Sequence, residues 1–255
     1  MIINKQLRKL TEPRDFAIKH IAKLKQENPN LKLVDVGGGV CCWSDETTHV
    51  IDSFVVPDSR KQLEIDRPNV DIFEFDINQS EQWADVLKYV EKHGKFDYSI
   101  CTHTLEDIPY PNIVCDMLMK ISKAGIIAVP SKYAEYLRFE KQQALGNSAT
   151  GELFGGYRGF FHHKWIYGMR DNVFTGYEKN NYWEHISWPN FENGKGFFTE
   201  ICFMWEENFE YKFNDVGKVL GHSCTPLIFE LLESDDLTLE QAEILKFNTR
   251  QSLLD

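Results

Sequence analysis

Leu31-Lys32-Leu33-Val34-Asp35-Val36-Gly37-Gly38-Gly39 is the stretch on which the fold class turns. A short apolar run with β-branched residues reads as a strand. It stops abruptly on three glycines, which permit backbone angles closed to other residues and let a ligand approach the main chain. Upstream, an amphipathic helix is expected from about Thr11, with Thr11 as cap and Pro13 in the first turn. Ile18, Ile21 and Ala22 would form its apolar face, and Asn28-Pro29-Asn30 its stop.

Downstream, the pattern repeats. His49-Val50-Ile51 closes on Asp52, and Val70 to Phe75 closes on Asp76. Ser80 opens a helix with Trp83, Val86, Leu87 and Val90 on one face and Gly94 just past its end. Phe96 to Cys101 reads as a fourth strand, followed by a helix turning Ile113, Val114, Met117, Leu118 and Ile121 inward, with Gly125 as its stop. Ile126 to Val129, ended by Pro130, is the fifth. Apolar strands separated by helices imply an α/β fold: a Rossmann-like, doubly wound, mostly parallel sheet covered on both faces. Phe197–Trp205 and Phe209–Phe213 read as an antiparallel edge hairpin around Glu206-Glu207-Asn208.

Between these parts, Gly146 to Gly196 is rich in Gly, Asn and aromatics, among them Tyr157, Phe160, Phe161, Trp165, Tyr167, Tyr182, Trp183 and Trp188. It shows little periodicity and reads as an aromatic-rich insertion or lid. The division expected is a Rossmann domain of 1–135 plus 197–255 and an insertion of 136–196. A short surface helix is expected from Leu237, carrying Ala242, Ile244 and Leu245.

Composition narrows the function. The 255 residues carry a net charge of −11, which argues against nucleic acid as the main partner, because phosphate affinity comes from clustered Lys and Arg. The first twenty residues hold no apolar run of signal-peptide type, and no stretch approaches the roughly 20 apolar residues that cross a bilayer. The expectation is a cytoplasmic protein without a membrane partner. Cys41, Cys42, Cys101, Cys115, Cys202 and Cys224 form no C-x-x-C pair and have no histidines at zinc spacing, so they read as small buried hydrophobes.

Ligands of open parallel sheets bind beyond the carboxyl ends of the strands, where strand order reverses. Gly37 to Gly39, Asp52, Asp76 and the Cys101-Thr102-His103-Thr104 turn all fall at such ends. In that order VDVGGG, the acid closing strand two, FEFDI, FDYSICTHTLEDI and KAGIIAVPS resemble the class I S-adenosylmethionine-dependent methyltransferases, and in particular the subgroup whose motif reads GGG. The resemblance spans roughly residues 31–135. It implies S-adenosylmethionine as cofactor and transfer of its methyl group to a small molecule. It also implies that the amides of Gly37, Gly38 and Gly39 meet the cofactor's methionine end, with Asp35 orienting its ammonium. Asp52 would accept from the ribose hydroxyls, Asp76 would meet the adenine amino group and Ile77 would cover the base. Thr102 and His103 would stand where the fourth strand ends, beside the sulfonium.

Two departures stand out. Cys41 occupies the place of a third spaced glycine, and GVCCWSDETTH is too short for a full crossover helix between Asp35 and Asp52. Those departures favour a catalytically silent relative that keeps the sheet as a binding protein; a nucleotide- or sugar-nucleotide-binding enzyme is the other alternative, since fold does not fix chemistry.

The subgroup also carries an H-x-W or H-K-W element, which His162-His163-Lys164-Trp165 resembles more weakly. His103, His162 and His163 are therefore the candidate catalytic bases. Adjacent histidines on a strand would point to opposite faces. No third ligand stands at metal spacing, so no metal is expected. Part of His162 to Tyr167 is expected to cover the strand ends near Gly37 to Gly39, the competing placement being a structural patch or one that forms a homodimer.

Overall fold

Leu33–Val36 (β1) forms where the apolar run demanded it, and every residue of it is buried. The computed structural model describes residues 13–39, 46–56, 58–136, 160, 162–170, 173–179 and 200–214. Thr11, Cys41, Cys42, Cys224, the expected crossover GVCCWSDETTH in its central part, most of the aromatic segment and the tail from Leu237 lie outside them. Among the described residues no helix is long and apolar enough to cross a membrane.

The chain divides into two compact units, Met1–Val129 with Cys202–Glu210 and Pro130–Ile201 with Tyr211–Asp255. The first carries the large sheet. Its strands are β1, His49–Asp52 (β2), Asp71–Glu74 (β3), Tyr98–Thr102 (β4), Ala124–Pro130 (β5) and Glu200–Glu206 (β8). Their order is β3-β2-β1-β4-β5-β8. β1 lies parallel to β2 and β4, β2 to β3, and β4 to β5. The fold is thus mixed α/β with a mostly parallel sheet of six strands, as the alternation of strands and helices predicted. The order reverses between β1 and β4, which sets the ligand crevice of such sheets at their carboxyl ends.

Packing explains the helices. On Pro13–Glu27 (α1), Ala17 and Ile21 are fully buried against Leu33, Tyr98, Ile100 and Ile126. The face is one step off the expected one: Ile18 is exposed, because Ala17, Ile21 and Leu24 repeat at i, i+4, i+7 toward the sheet. Facing the other way, Val34, Val36, Cys101 and Ile127 are equally buried, so the sheet is covered on both sides. Ser59–Asp66 (α2) follows β2 and buries only Ser59 and Leu63. A 3-10 turn, Ser80–Trp83, leads into Ala84–His93 (α3), which ends at Gly94 with a positive φ of 77°. Pro111–Ile121 (α4) buries Val114, Cys115, Met117, Leu118 and Ile121. It stops at Ser122, and Gly125 belongs to β5 rather than ending the helix.

The second unit begins with Lys132–Tyr136 (α5) and holds an antiparallel pair, Trp165–Arg170 (β6) and Val173–Glu178 (β7), inside the segment that showed no periodicity. The expected edge hairpin is corrected here. Its first arm is β8 in the large sheet, but Tyr211–Asn214 (β9) pairs in parallel with β7 in a separate sheet of order β6-β7-β9. Aromatic packing explains the parting. Phe209 stays with Phe203 and Trp205 at ring distances of 5.3 Å, whereas Phe213 lies 5.3 Å from Trp165 and 6.3 Å from Tyr167.

Candidate functional site

The glycine turn sits at the carboxyl end of β1, at the switch point of the sheet. Gly37 has φ of +82°, and its amide donates to the Ile51 carbonyl at 2.8 Å. A side chain on Gly37 would overlap Thr104, one on Gly38 the carboxyl of Asp35, and one on Gly39 the carboxyl of Asp52. All three positions therefore require glycine because of the chain's own side chains. Asp35, fully buried in β1, lies directly beneath the turn.

Asp52 closes β2 and is half-buried. Its Oδ2 accepts from the Gly39 amide at 3.0 Å and its Oδ1 from the Phe54 amide at 2.6 Å. One carboxylate thus ties the glycine turn to the loop after β2, where Phe54 takes an uncommon positive φ of 49°. The amides of Gly37 and Gly39, assigned to the cofactor by resemblance, are donors inside this arrangement. Each Asp52 oxygen nonetheless has a second acceptor position, since a carboxylate offers about four.

Asp76 lies two residues beyond β3. Its Oδ1 accepts from the backbone and side-chain amides of Asn78 at 3.0 and 2.8 Å. Those bonds, the backbone one foremost, hold its carboxyl below the usual range and keep it ionised. Ile77 is buried, and its carbonyl accepts from the Trp83 indole at 3.1 Å.

At the end of β4, Thr102 is buried, and the Thr104 hydroxyl donates to the Thr102 carbonyl at 3.0 Å. His103 between them has φ of 49°, and its amide donates to the Ala128 carbonyl at 2.9 Å. A non-glycine residue held at positive φ at a strand tip marks a site where the fold over-determines the backbone. The imidazole is 35% exposed, and its Nδ1 stands 3.3 Å from Oε1 of Glu106, whose side chain is only 1% exposed. Burial pushes the thiols of Cys101 and Cys115 well up, and Cys115, Asp35 and Glu106 add to the effect on Cys101. Neither is poised as a nucleophile.

His162 and His163 belong to the second unit and precede β6 rather than lying on it. His162 is exposed and His163 buried, with ring centroids 4.5 Å apart and nearly perpendicular. Nδ1 of His163 lies 2.5 Å from Oε1 of Glu135, and Nζ of Lys179 donates to Oε2 of the same carboxylate at 2.6 Å. Sequence reasoning passed over Glu135, Lys179 and Phe54, and gave Thr104 a place in the turn after the fourth strand but no role. Glu135 and Lys179 stand far apart in the chain and share no motif.

No protein-family model and no curated protein matches the chain by sequence. Solved structures do resemble it. The N-terminal domain of EvdMO1, crystallised in the presence of SAH and D-fucose, is 12% identical with a TM-score of 0.33, over 48% of this chain and 52% of that one. This chain thus spans about half the length of that domain. The methyltransferase domain of bacterial CtHen1 is 13% identical with a TM-score of 0.38, over 74% of this chain and 96% of that domain. The third is the complex between the Haloferax volcanii Trm112 methyltransferase activator and a methyltransferase, with a chain that is 10% identical at a TM-score of 0.33, over 77% and 92%. The fold itself rests on strand order and register in this chain.

Proposed function

We propose that the chain is an S-adenosylmethionine-dependent methyltransferase acting on a small molecule. The observation that carries this reading is the turn of Gly37 to Gly39, packed onto Asp35 and bound to Asp52 at the point where strand order reverses. The residues present suit the cofactor. A buried acid beneath a side-chain-free turn favours an ammonium group. The ionised Asp76 and the half-buried Asp52 each retain acceptor capacity for an amino group and for hydroxyls. Asp35 and Gly37 to Gly39 would hold the methionine end, Asp52 the ribose, and Asp76 with Ile77 the adenine. Thr102 and His103 would border the reacting end. The cofactor supplies an electrophilic methyl group on a sulfonium.

The chain's own contribution is positional. The Thr104 hydroxyl on the Thr102 carbonyl fixes the turn after β4. Glu106 stands 3.3 Å from Nδ1 of His103, and the partly exposed ring would take a proton from an acceptor. His162 and His163 remain proposed bases in the second unit, with the lid over the strand ends a proposal alongside them.

Titration calorimetry with S-adenosylmethionine, its demethylated product and NAD tests the reading. The first two should bind and NAD should not; binding of NAD alone overturns it. One observation favours a second reading, a binding protein without catalysis. Both Asp52 oxygens and the Gly39 amide are already engaged within the chain. That reading predicts binding of neither methyl donor nor product.

A further inference from the structure

The turn after β3 is held largely from within Asp76 to Trp83. The Asp76 amide donates to Oε1 of Gln82 at 2.9 Å, the Asp76 carbonyl accepts from the Gln79 amide at 3.0 Å, and the indole of buried Trp83 holds the Ile77 carbonyl. One side chain of the turn reaches farther. Asn78, half-buried, donates from Nδ2 to Oδ1 of Asp76 at 2.8 Å, and its own Oδ1 accepts from the Tyr110 amide at 3.4 Å, 32 residues on. Tyr110 is the residue on which α4 opens. It gives that helix no side-chain cap, and Pro111 after it has no N–H to offer. The bond to Asn78 thus ties the entry of α4 to the turn after β3.

The two partners set which way the amide points. An ionised carboxylate only accepts and a backbone N–H only donates, so Nδ2 faces Asp76 and Oδ1 faces Tyr110. Among side chains of this shape Asn alone offers a donor and an acceptor together. Asp would set a second negative charge against Asp76, and Leu would meet neither partner. The backbone amide of Asn78 adds a second bond to Oδ1 of Asp76 at 3.0 Å, whereas Oδ2 has only a long 3.4 Å contact with Nε2 of the exposed Gln79. The clamp therefore decides which carboxylate oxygen is left for an incoming N–H. We propose that Asn78 is a positioning residue, which leaves Oδ2 of Asp76 to a ligand's amino group and ties the start of α4 to that acid. The loop that carries His103 leads into α4, so one side chain joins the base-reading acid to the loop assigned to the reacting end. That the ligand is the adenine end of S-adenosylmethionine rests on the methyltransferase reading; the clamp does not.

The test follows the Asp76 carboxyl by carbon-detected NMR against pH in the full-length chain, with Asn78→Ala and Asn78→Asp beside wild type. In wild type the acid should titrate below the usual carboxylate range, since the backbone and side-chain bonds from Asn78 outweigh burial. Asn78→Ala should raise the titration part of the way, because the backbone bond survives. Asn78→Asp should raise it further, because a like charge opposes ionisation. Hydrogen exchange is the second arm. The Tyr110 amide should stay protected in Asn78→Asp, whose carboxylate still accepts, and lose protection in Asn78→Ala. In calorimetry both variants should bind S-adenosylhomocysteine more weakly, Asn78→Asp by roughly tenfold, the worth of one hydrogen bond to a charged group. A side chain that merely filled space would not move the titration in that order. An Asp76 titration unmoved in both variants overturns the proposal, as does unchanged Tyr110 protection in Asn78→Ala or wild-type affinity in both variants. Should one variant not fold, the titration of the other decides. Absence of binding by wild type, with the titrations in the expected order, sinks the methyltransferase reading only; binding with unmoved titrations sinks the positioning role only.

Discussion

Asp52 and Glu135 are both carboxylates with both oxygens engaged, and the fold holds them by opposite means. Asp52, half-buried at a strand tip, is bound by two backbone amides, while fully buried Glu135 is bound by a lysine and a histidine. Amides carry no net charge, so they suffice where water still shares the solvation. They also leave the carboxylate charge available to a ligand. Side-chain cations are needed where water is excluded, and they consume that charge. The first arrangement suits binding and the second suits fixing a geometry.

The difference is broken most severely by Lys179→Met, which removes one of the two side-chain partners of a buried carboxylate. A loss of about 3–5 kcal/mol in unfolding free energy is expected, read by denaturant titration, as for other buried pairs with one partner removed. Gly38→Ala should come next. Its methyl group meets the Asp35 carboxyl, and overpacking of this kind costs roughly 1–3 kcal/mol, with cofactor affinity falling in parallel.

Asp52→Ala sharpens the contrast from the other side. Affinity for S-adenosylmethionine should fall by roughly 1–3 kcal/mol while the fold survives, because only two amide bonds at a solvent-facing tip are lost. Unchanged affinity would remove the ribose assignment. The smallest effect concerns a third region, at the opposite end of β2. Burial is the main cause lowering the His49 pKa below its usual value of about 6.5, with Lys32 and His93 adding to it and Asp71 opposing. The unfolded chain therefore binds this proton more readily than the folded one. Stability should fall as pH drops below about 6.5, and His49→Gln should flatten that slope in thermal melts.

The large sheet was legible because its inner strands β1, β2, β4 and β5 are buried on both faces and so read as short apolar runs. α2 escaped notice because Ser-Arg-Lys-Gln-Leu-Glu-Ile-Asp offers one buried leucine and exposes Ile65, too little for a periodic signal. β6 and β7 escaped for a different reason: Gly168 and Gly176 interrupt their runs of strand-forming residues. The parallel pairing of β9 with β7 joins residues far apart, which local pattern cannot register. Of the candidate site, the glycine turn and its two acids were legible as residues, but their binding to one another was not. Nor was Thr104, whose role depends on the approach of two turns distant in sequence.

The position of β8 in the chain also bears on biosynthesis. Its place beside β5 is filled only after everything between Pro130 and Glu200 has left the ribosome. Until then the nascent large sheet presents β5 as a bare rim of main-chain donors and acceptors, open to strand addition by another molecule. Fragments ending near Val129 should consequently self-associate, and slowing translation across the intervening stretch should lower the yield of monodisperse protein.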